Sequence, residues 1–230
     1  MNDVPKSFWN DRACFLRIIE AFFDHIDSDM FVYPTEFIPD FFWENEENVR
    51  AYVLTLCDYY GEDRIDFNLT GELIPRFVLK NKEIVMWLLG CNVDETLGYL
   101  SDEQLQDPEI ILAALEGVEN KIKCREYNAT TWLPPLDPEK CLAEFINQIP
   151  ESLALNRDFV LDFHGFMAQS SYLDIFDLLY KWVDNTLWTD RDFVFEVLSE
   201  NEDALEYAAE ELLNDADFAK RLKDELNIEI

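Results

Sequence analysis

The chain is predicted to be all-α, and three observations carry that expectation. Glycine and proline are scarce, 6 and 9 among 230 residues, which suits helices joined by short connections better than a turn-rich β fold. Hydrophobic residues make up 49% and aromatic ones 14%. That is ample for a buried core, so the chain is not a disordered acidic tail. The third observation is a recurring helix start: an Asp or Asn, two mostly polar residues, then apolar residues at helical spacing.

Taken in order, the expected cap residues are Asp11, Asn45, Asn81, Asp107, Asp137, Asn156, Asp190 and Asp215. Asp and Asn suit the position because their side-chain oxygens accept hydrogen bonds from the unpaired amides of the first turn. Pro108 and Pro138 follow two of them, where proline costs a helix nothing. Glu83, Glu109, Asp158, Asp192 and Asp217 place acids in first turns, at the positive end of the helix dipole. Two residues ahead of six caps stands Trp9, Trp43, Leu79, Leu105, Trp188 or Leu213, an apolar residue expected to pack back onto the helix and join the core. Behind the caps, Ile84, Val85, Leu88 and Leu89 form one apolar stripe, as do Phe193, Val194, Val197 and Leu198.

Successive caps lie between 19 and 36 residues apart, and most intervals hold two helices and two short turns. The shortest, from Asp137 to Asn156, holds one helix and a turn, so the period breaks there. The expected architecture is an irregular, solenoid-like array of tandem helix pairs forming a single domain over residues 1–230. A compact helical bundle is the alternative.

Second helices are clearest at Thr96-Leu97-Gly98-Tyr99-Leu100, ahead of Asp107, and at Ala204-Leu205-Glu206-Tyr207-Ala208, ahead of Asp215. Together with Asn81-Lys82-Glu83-Ile84-Val85, Leu105-Gln106-Asp107-Pro108-Glu109-Ile110-Ile111-Leu112-Ala113-Ala114, Asp190-Arg191-Asp192-Phe193-Val194 and Leu213-Asn214-Asp215, they carry a resemblance. The chain resembles a bacterial tandem helical repeat catalogued as domain of unknown function forty-one sixteen. Copies in that family read approximately ND-x-E-hydrophobic-V, then AL-x-YAS-x-EL. The resemblance spans roughly 79–116 and 188–222, while 61–75 and 117–136 diverge from it. Its motifs are caps and core positions, so it implies helical repeats and no activity.

Acidic residues number 49 and basic ones 18, a formal charge of −31. Such a body repels nucleic acid and anionic membranes and attracts basic surfaces; no basic stripe offers a footprint for phosphates. Three windows lack Lys and Arg altogether: 18–49 with nine carboxylates, 83–120 with nine, and 192–219 with ten. Carboxylates without a local cation are available to a foreign one. The expected function is therefore a non-catalytic, highly acidic protein-interaction module. Its partner would be a basic protein, a nuclease or nucleic-acid-binding protein whose groove awaits phosphates. The module would inhibit or sequester it, as a nucleic-acid mimic or an immunity or anti-defence protein. Candidate contacts are Glu44, Glu46, Glu47, Asp102, Glu103, Glu200, Glu202, Asp203, Glu206, Glu210 and Glu211, with Trp132 in a connecting loop, Thr130 to Pro135. A purely solubilising acidic surface is the plainer reading, and a scaffold using apolar surface such as Phe37 to Trp43 is another.

Catalysis is not expected. Of the two histidines, His25 lies in an acidic helix, and His164 sits between aromatics in Asp162-Phe163-His164-Gly165-Phe166. A packed, hydrogen-bonded histidine is the expectation there, with an enzyme using His164 as the remote alternative. The five cysteines are far apart, and no zinc spacing, calcium loop, nucleophile elbow or phosphate-cradling glycine loop is present, so neither metal nor cofactor is expected. Cys14 and Cys141 read as small buried hydrophobes. Residues 1–8 lack the basic and apolar regions of a secretory signal, and no stretch approaches a membrane span, which points to the cytoplasm and leaves the sequons at Asn68 and Asn128 without meaning.

Overall fold

The computed structural model describes residues 38–60, 74–127 and 135–230, with scattered positions between Phe8 and Ala21. Among the described residues there are helices and no strands, so the fold is all-α. They form two compact units, residues 1–101 and 102–230, each described by itself.

In the first unit, α1 (Asp40–Trp43) turns directly into α2 (Glu46–Tyr60). A 3-10 turn (Arg76–Lys80) leads into α3 (Lys82–Cys91), and α4 (Val93–Leu97) follows. Its core holds both aromatic and aliphatic side chains. Phe42 lies 4.0 Å from Phe15, and Trp43 stands edge-on to Tyr52 at 5.0 Å. The α3 stripe of Ile84, Val85, Leu88 and Leu89 is buried as its spacing requires. Ile38, Phe42 and Trp43 are buried too, which makes these members of the Phe37–Trp43 cluster core.

The second unit opens with α5 (Asp102–Leu105) and the long α6 (Pro108–Tyr127). After it come α7 (Pro138–Ile146), a 3-10 turn (Glu151–Leu155) and α8 (Arg157–Gln169). Next are α9 (Phe176–Trp182), a 3-10 turn (Leu187–Thr189) and α10 (Arg191–Glu200). A 3-10 turn (Glu202–Tyr207), α11 (Glu210–Leu213), α12 (Ala216–Arg221) and a π-helical turn (Leu222–Leu226) complete it. Helix α6 packs on α7 and α8, α7 on α9, and α8 on α10. Asn227 takes the left-handed conformation, φ 61°, that ends the last turn. Ile228 is thereby turned into the core, 7% exposed.

Local chemistry explains where the helices begin. All eight expected cap residues accept backbone N–H groups from the first turn: Asp11 from Ala13 and Cys14, and Asn45 from Glu47 and Asn48. Asn81 accepts from Ile84, Asp107 from Glu109, and Asp137 from Glu139 and Lys140. Asn156 accepts from Phe159, Asp190 from Asp192 and Phe193, and Asp215 from Phe218. Each such cap is worth about 1 kcal/mol. Of the apolar residues two places ahead, Trp43, Leu79 and Trp188 are buried, whereas Leu105 and Leu213 are half-buried. Trp9 lies outside the described residues.

Three sequence expectations change. Within the segment 204–208, residues 204–207 form part of a 3-10 turn and not an α-helix. It is short, held at one end by the Asn201 cap, and pulled out at the other where extended Ala208 and Ala209 lead the Ala209 amide onto the Trp188 carbonyl at 2.9 Å. Residues 117–127, read as part of a divergent unit, continue α6 without a break. Cys14 and Cys141 are half-buried and not fully buried, and Cys124 is exposed.

Candidate functional site

The candidate acidic contacts divide between the units. In the first, Glu44 and Glu47 are exposed where α1 turns into α2, and Glu46 between them is held by Arg50 one turn on. That ion pair removes part of the local charge. In the second, Asp102 and Glu103 are exposed in the first turn of α5. Trp132 lies outside the described residues.

The remaining candidates, Glu200 to Glu211, form one continuous stretch in the second unit. A 3-10 turn stacks residues three apart. Asp203 and Glu206 therefore share an outward ridge, while Ala204 is buried on the ridge beside it. Glu202, Glu210 and Glu211 are exposed before and after that ridge. Ala209, tied to the Trp188 carbonyl, fixes the corner between the turn and α11.

Three arginines of the unit are engaged in ties between helices. Arg157, at the first position of α8, binds Glu196 of α10 at 2.8 Å. Arg191, at the first position of α10, binds Asp215, which caps α12. Arg221 of α12 returns to Asp192 at 2.9 Å, its guanidinium 3.8 Å from the centre of the Phe195 ring. Three of the ten carboxylates in 192–219 are thus ion-paired, and a fourth, Glu200, is hydrogen-bonded to His164. Glu202, Asp203, Glu206, Glu210, Glu211 and Asp217 form no ion pair among the described residues, and all six are exposed. Asp203 and Glu206, three apart on one ridge of the 3-10 turn, are like charges and repel each other. The segment therefore holds charge that its own fold does not use.

Behind this segment lies a buried polar chain. His164, 2% exposed, has both ring nitrogens occupied: Nδ1 lies 3.1 Å from Glu200 Oε2, and Nε2 lies 2.9 Å from the Tyr180 hydroxyl. Close by in the chain, Asn201 Oδ1 accepts the Asp203 amide at 2.9 Å. Burial lowers the His164 pKa more than the Glu200 carboxylate raises it, so the imidazole is neutral. Burial, reinforced by Asp203 and Glu200, drives Tyr180 far above the ordinary range of a phenol. The phenol is therefore protonated. His164 is thus the packed, hydrogen-bonded histidine that its neighbours in the sequence led us to expect.

An aromatic nest surrounds the chain. Tyr180 and Phe193 stand edge-on to Trp188 at 5.4 Å each. Tyr207, which donates to Asp177 at 3.1 Å, lies against Trp188 and Tyr180. Trp188 is core at 3% exposure, as its place ahead of a cap suggested.

Sequence reasoning missed three capping groups. Asn92 and Asn201 each cap a short second helix or turn, and Ser170 accepts the amides of Tyr172 and Leu173 while donating to buried Glu119 at 2.7 Å. Gly90 and Ser199 precede the two asparagines where the main caps have Trp or Leu, so the apolar half of the signal is missing. The Asx residue itself was the only cue.

Among the described residues no helix is long and apolar enough to cross a membrane, and no group of acidic, His and Cys side chains is arranged to hold a metal ion. No curated protein and no solved structure matches the chain. Residues 190–222, which run from the Asp190 cap through the acidic segment into the π-helical turn, match the model of the family described as Domain of unknown function (DUF4116), the family that the sequence resembles.

Proposed function

We propose that this protein is a non-catalytic acidic interaction module that binds a basic protein and inhibits or sequesters it. The contact is the exposed stretch from Glu202 to Glu211. One observation supports the proposal: five carboxylates on consecutive turns form no ion pair among the described residues, while nearby arginines are committed to ties between helices. Each exposed ion pair formed with a partner would contribute up to about 1 kcal/mol. Five together supply a few kcal/mol and a strong dependence on salt. A nuclease or nucleic-acid-binding protein fits best, because its Arg and Lys side chains are already arranged for a regular row of anions. The cytoplasm is the proposed setting.

The test is capture from host lysate at low salt on immobilised protein, followed by salt elution and mass spectrometry. The comparison is the variant carrying Glu202→Gln, Asp203→Asn, Glu206→Gln, Glu210→Gln and Glu211→Gln. A basic protein released at moderate salt from the wild type and not retained by the variant supports the proposal. A neutral partner that survives high salt on both would replace it with an adaptor that binds through apolar surface.

A further inference from the structure

The aromatic nest brings three oxidisable rings together beside one base. Trp188, Tyr180 and Tyr207 form a closed triangle. Ring centres lie 5.4 Å apart for Trp188 and Tyr180, 5.2 Å for Tyr180 and Tyr207, and 5.6 Å for Trp188 and Tyr207. At such spacings the rings touch, so an electron passes between any two of them without a bridge. Trp188 and Tyr180 are buried, whereas Tyr207 is half-buried and brings the triangle to solvent.

The three rings differ in where their protons can go. An oxidised indole or phenol becomes strongly acidic, and it settles as a neutral radical only when a base accepts its proton. The Trp188 Nε1–H is buried and has no hydrogen-bond partner among the described residues. An electron vacancy there stays a buried, unpaired cation, which is costly. Tyr207 donates to Asp177 at 3.1 Å, but that carboxylate is also held by Lys181, and carboxylates are by class weaker bases than imidazoles. Tyr180 faces an imidazole. The Glu200 carboxylate can only accept, so His164 Nδ1 carries the ring proton and donates it at 3.1 Å. Nε2 is left as the acceptor for the Tyr180 hydroxyl, 2.9 Å away. Burial disfavours the imidazolium at this position, and the Glu200 carboxylate offsets part of that cost.

We propose that Tyr180 and His164 form a redox-active pair, the place where a one-electron oxidant acting on the aromatic nest leaves its vacancy. The oxidising radical takes one electron at Tyr207 or Trp188 and is itself reduced by one electron. An electron from Tyr180 refills that ring, and the Tyr180 O–H bond breaks as its proton moves to His164 Nε2. The products are a neutral phenoxyl radical and an imidazolium paired with Glu200, with no proton released. A one-electron reductant reverses the step, and the same proton returns to the phenol. Phe176, against both His164 and Tyr180, and Phe193, edge-on to Trp188, surround the pair with rings that are not oxidised. The pair is independent of the acidic contact proposed above.

The test is pulse radiolysis of the full chain at neutral pH with the azide radical as oxidant, read by transient absorption and by electron paramagnetic resonance of frozen samples. In the wild type, tryptophanyl absorption should convert to tyrosyl absorption within the molecule. The tyrosyl radical left behind should decay independently of protein concentration, as a buried radical does. Electron–nuclear double resonance should show an exchangeable hydrogen bond to its oxygen, donated by the imidazolium. Tyr180→Phe, whose ring keeps the aromatic packing, should lose this long-lived radical, and so should His164→Gln, which offers no base; circular dichroism verifies that both remain folded. Tyr207→Phe should keep the radical in lower yield. A long-lived tyrosyl radical that persists unchanged in Tyr180→Phe or in His164→Gln overturns the inference. So does a wild-type radical without the exchangeable hydrogen bond, a result that requires no variant to fold.

Discussion

Replacing Asp190 with Ala measures how much one cap contributes to the segment that holds the acidic turn. Asp190 Oδ1 accepts two of the four free amides at the start of α10, from Asp192 at 2.9 Å and Phe193 at 3.0 Å. Losing a cap costs about 1 kcal/mol, within a range of about 0.5–2. The carboxylate also meets the positive end of the dipole, worth about 0.3–1 kcal/mol. Asp190 is exposed, so water partly replaces both contributions, and about 1–1.5 kcal/mol is expected for Asp190→Ala. Asp190→Asn keeps an accepting oxygen and should lose about 0.5 kcal/mol or less. Asp217→Ala serves as the control for the dipole contribution alone, since Asp217 stands in a first turn with no capping bond among the described residues. Urea unfolding followed by circular dichroism reads these differences. With a slope near 2 kcal/mol per molar urea, Asp190→Ala should lower the midpoint by about half a molar or slightly more. A midpoint for Asp190→Ala equal to that of Asp217→Ala, or Asn as damaging as Ala, would refute the capping argument.

Three further outcomes follow from the second unit. Ser170→Ala leaves Glu119, 7% exposed, with Lys123 alone and uncaps Tyr172 and Leu173; about 1–3 kcal/mol should be lost in the same urea assay, most of it recovered by Ser170→Thr. Trp188→Ala empties the centre of the aromatic nest and should cost about 3–5 kcal/mol, read as a lowered melting temperature in calorimetry. The pH dependence has a definite sign. Burial lowers the folded pKa of His164 below its ordinary 6.5. The unfolded chain therefore binds the proton first, and stability falls as pH drops from about 6.5 toward the folded value. His164→Gln should flatten that part of the profile in urea titrations at pH 7, 6 and 5; an unchanged slope would show that other groups produce it.

The helix starts were legible because they are local. An Asx side chain and the amides it caps lie within three positions, so Asp11, Asn45, Asn81 and the other expected caps can be read without knowing the fold. The burial of Trp43, Leu79 and Trp188 follows from the same local geometry. Continuation of α6 through 117–127 was also open to reading, for Ile111, Ala114, Leu115, Val118 and Ile122 keep helical spacing. The departure from the family pattern after residue 116 obscured it. The His164 chain was different in kind, because its partners lie 36 and 16 positions away. Nothing in Asp162–Phe166 names Glu200 or Tyr180. The same holds for the arginine ties. The sequence shows that 192–219 lacks cations, but only the packing of α8 on α10 and of the last turn on α10 reveals which carboxylates receive cations from outside the window. Glu196, Asp192 and Asp215 are thereby removed from the available set, and the contact narrows to 202–211.

The central claim, that uncompensated carboxylates of this segment engage a basic partner, is tested most directly by salt-dependent affinity. Once a partner has been captured, its Kd is measured by calorimetry from 50 to 300 mM salt, for the wild type and for the five-site variant from Glu202→Gln to Glu211→Gln. The account predicts an affinity that weakens steeply with salt for the wild type, and a weaker, much flatter dependence for the variant. Equal affinities with equal slopes would contradict it.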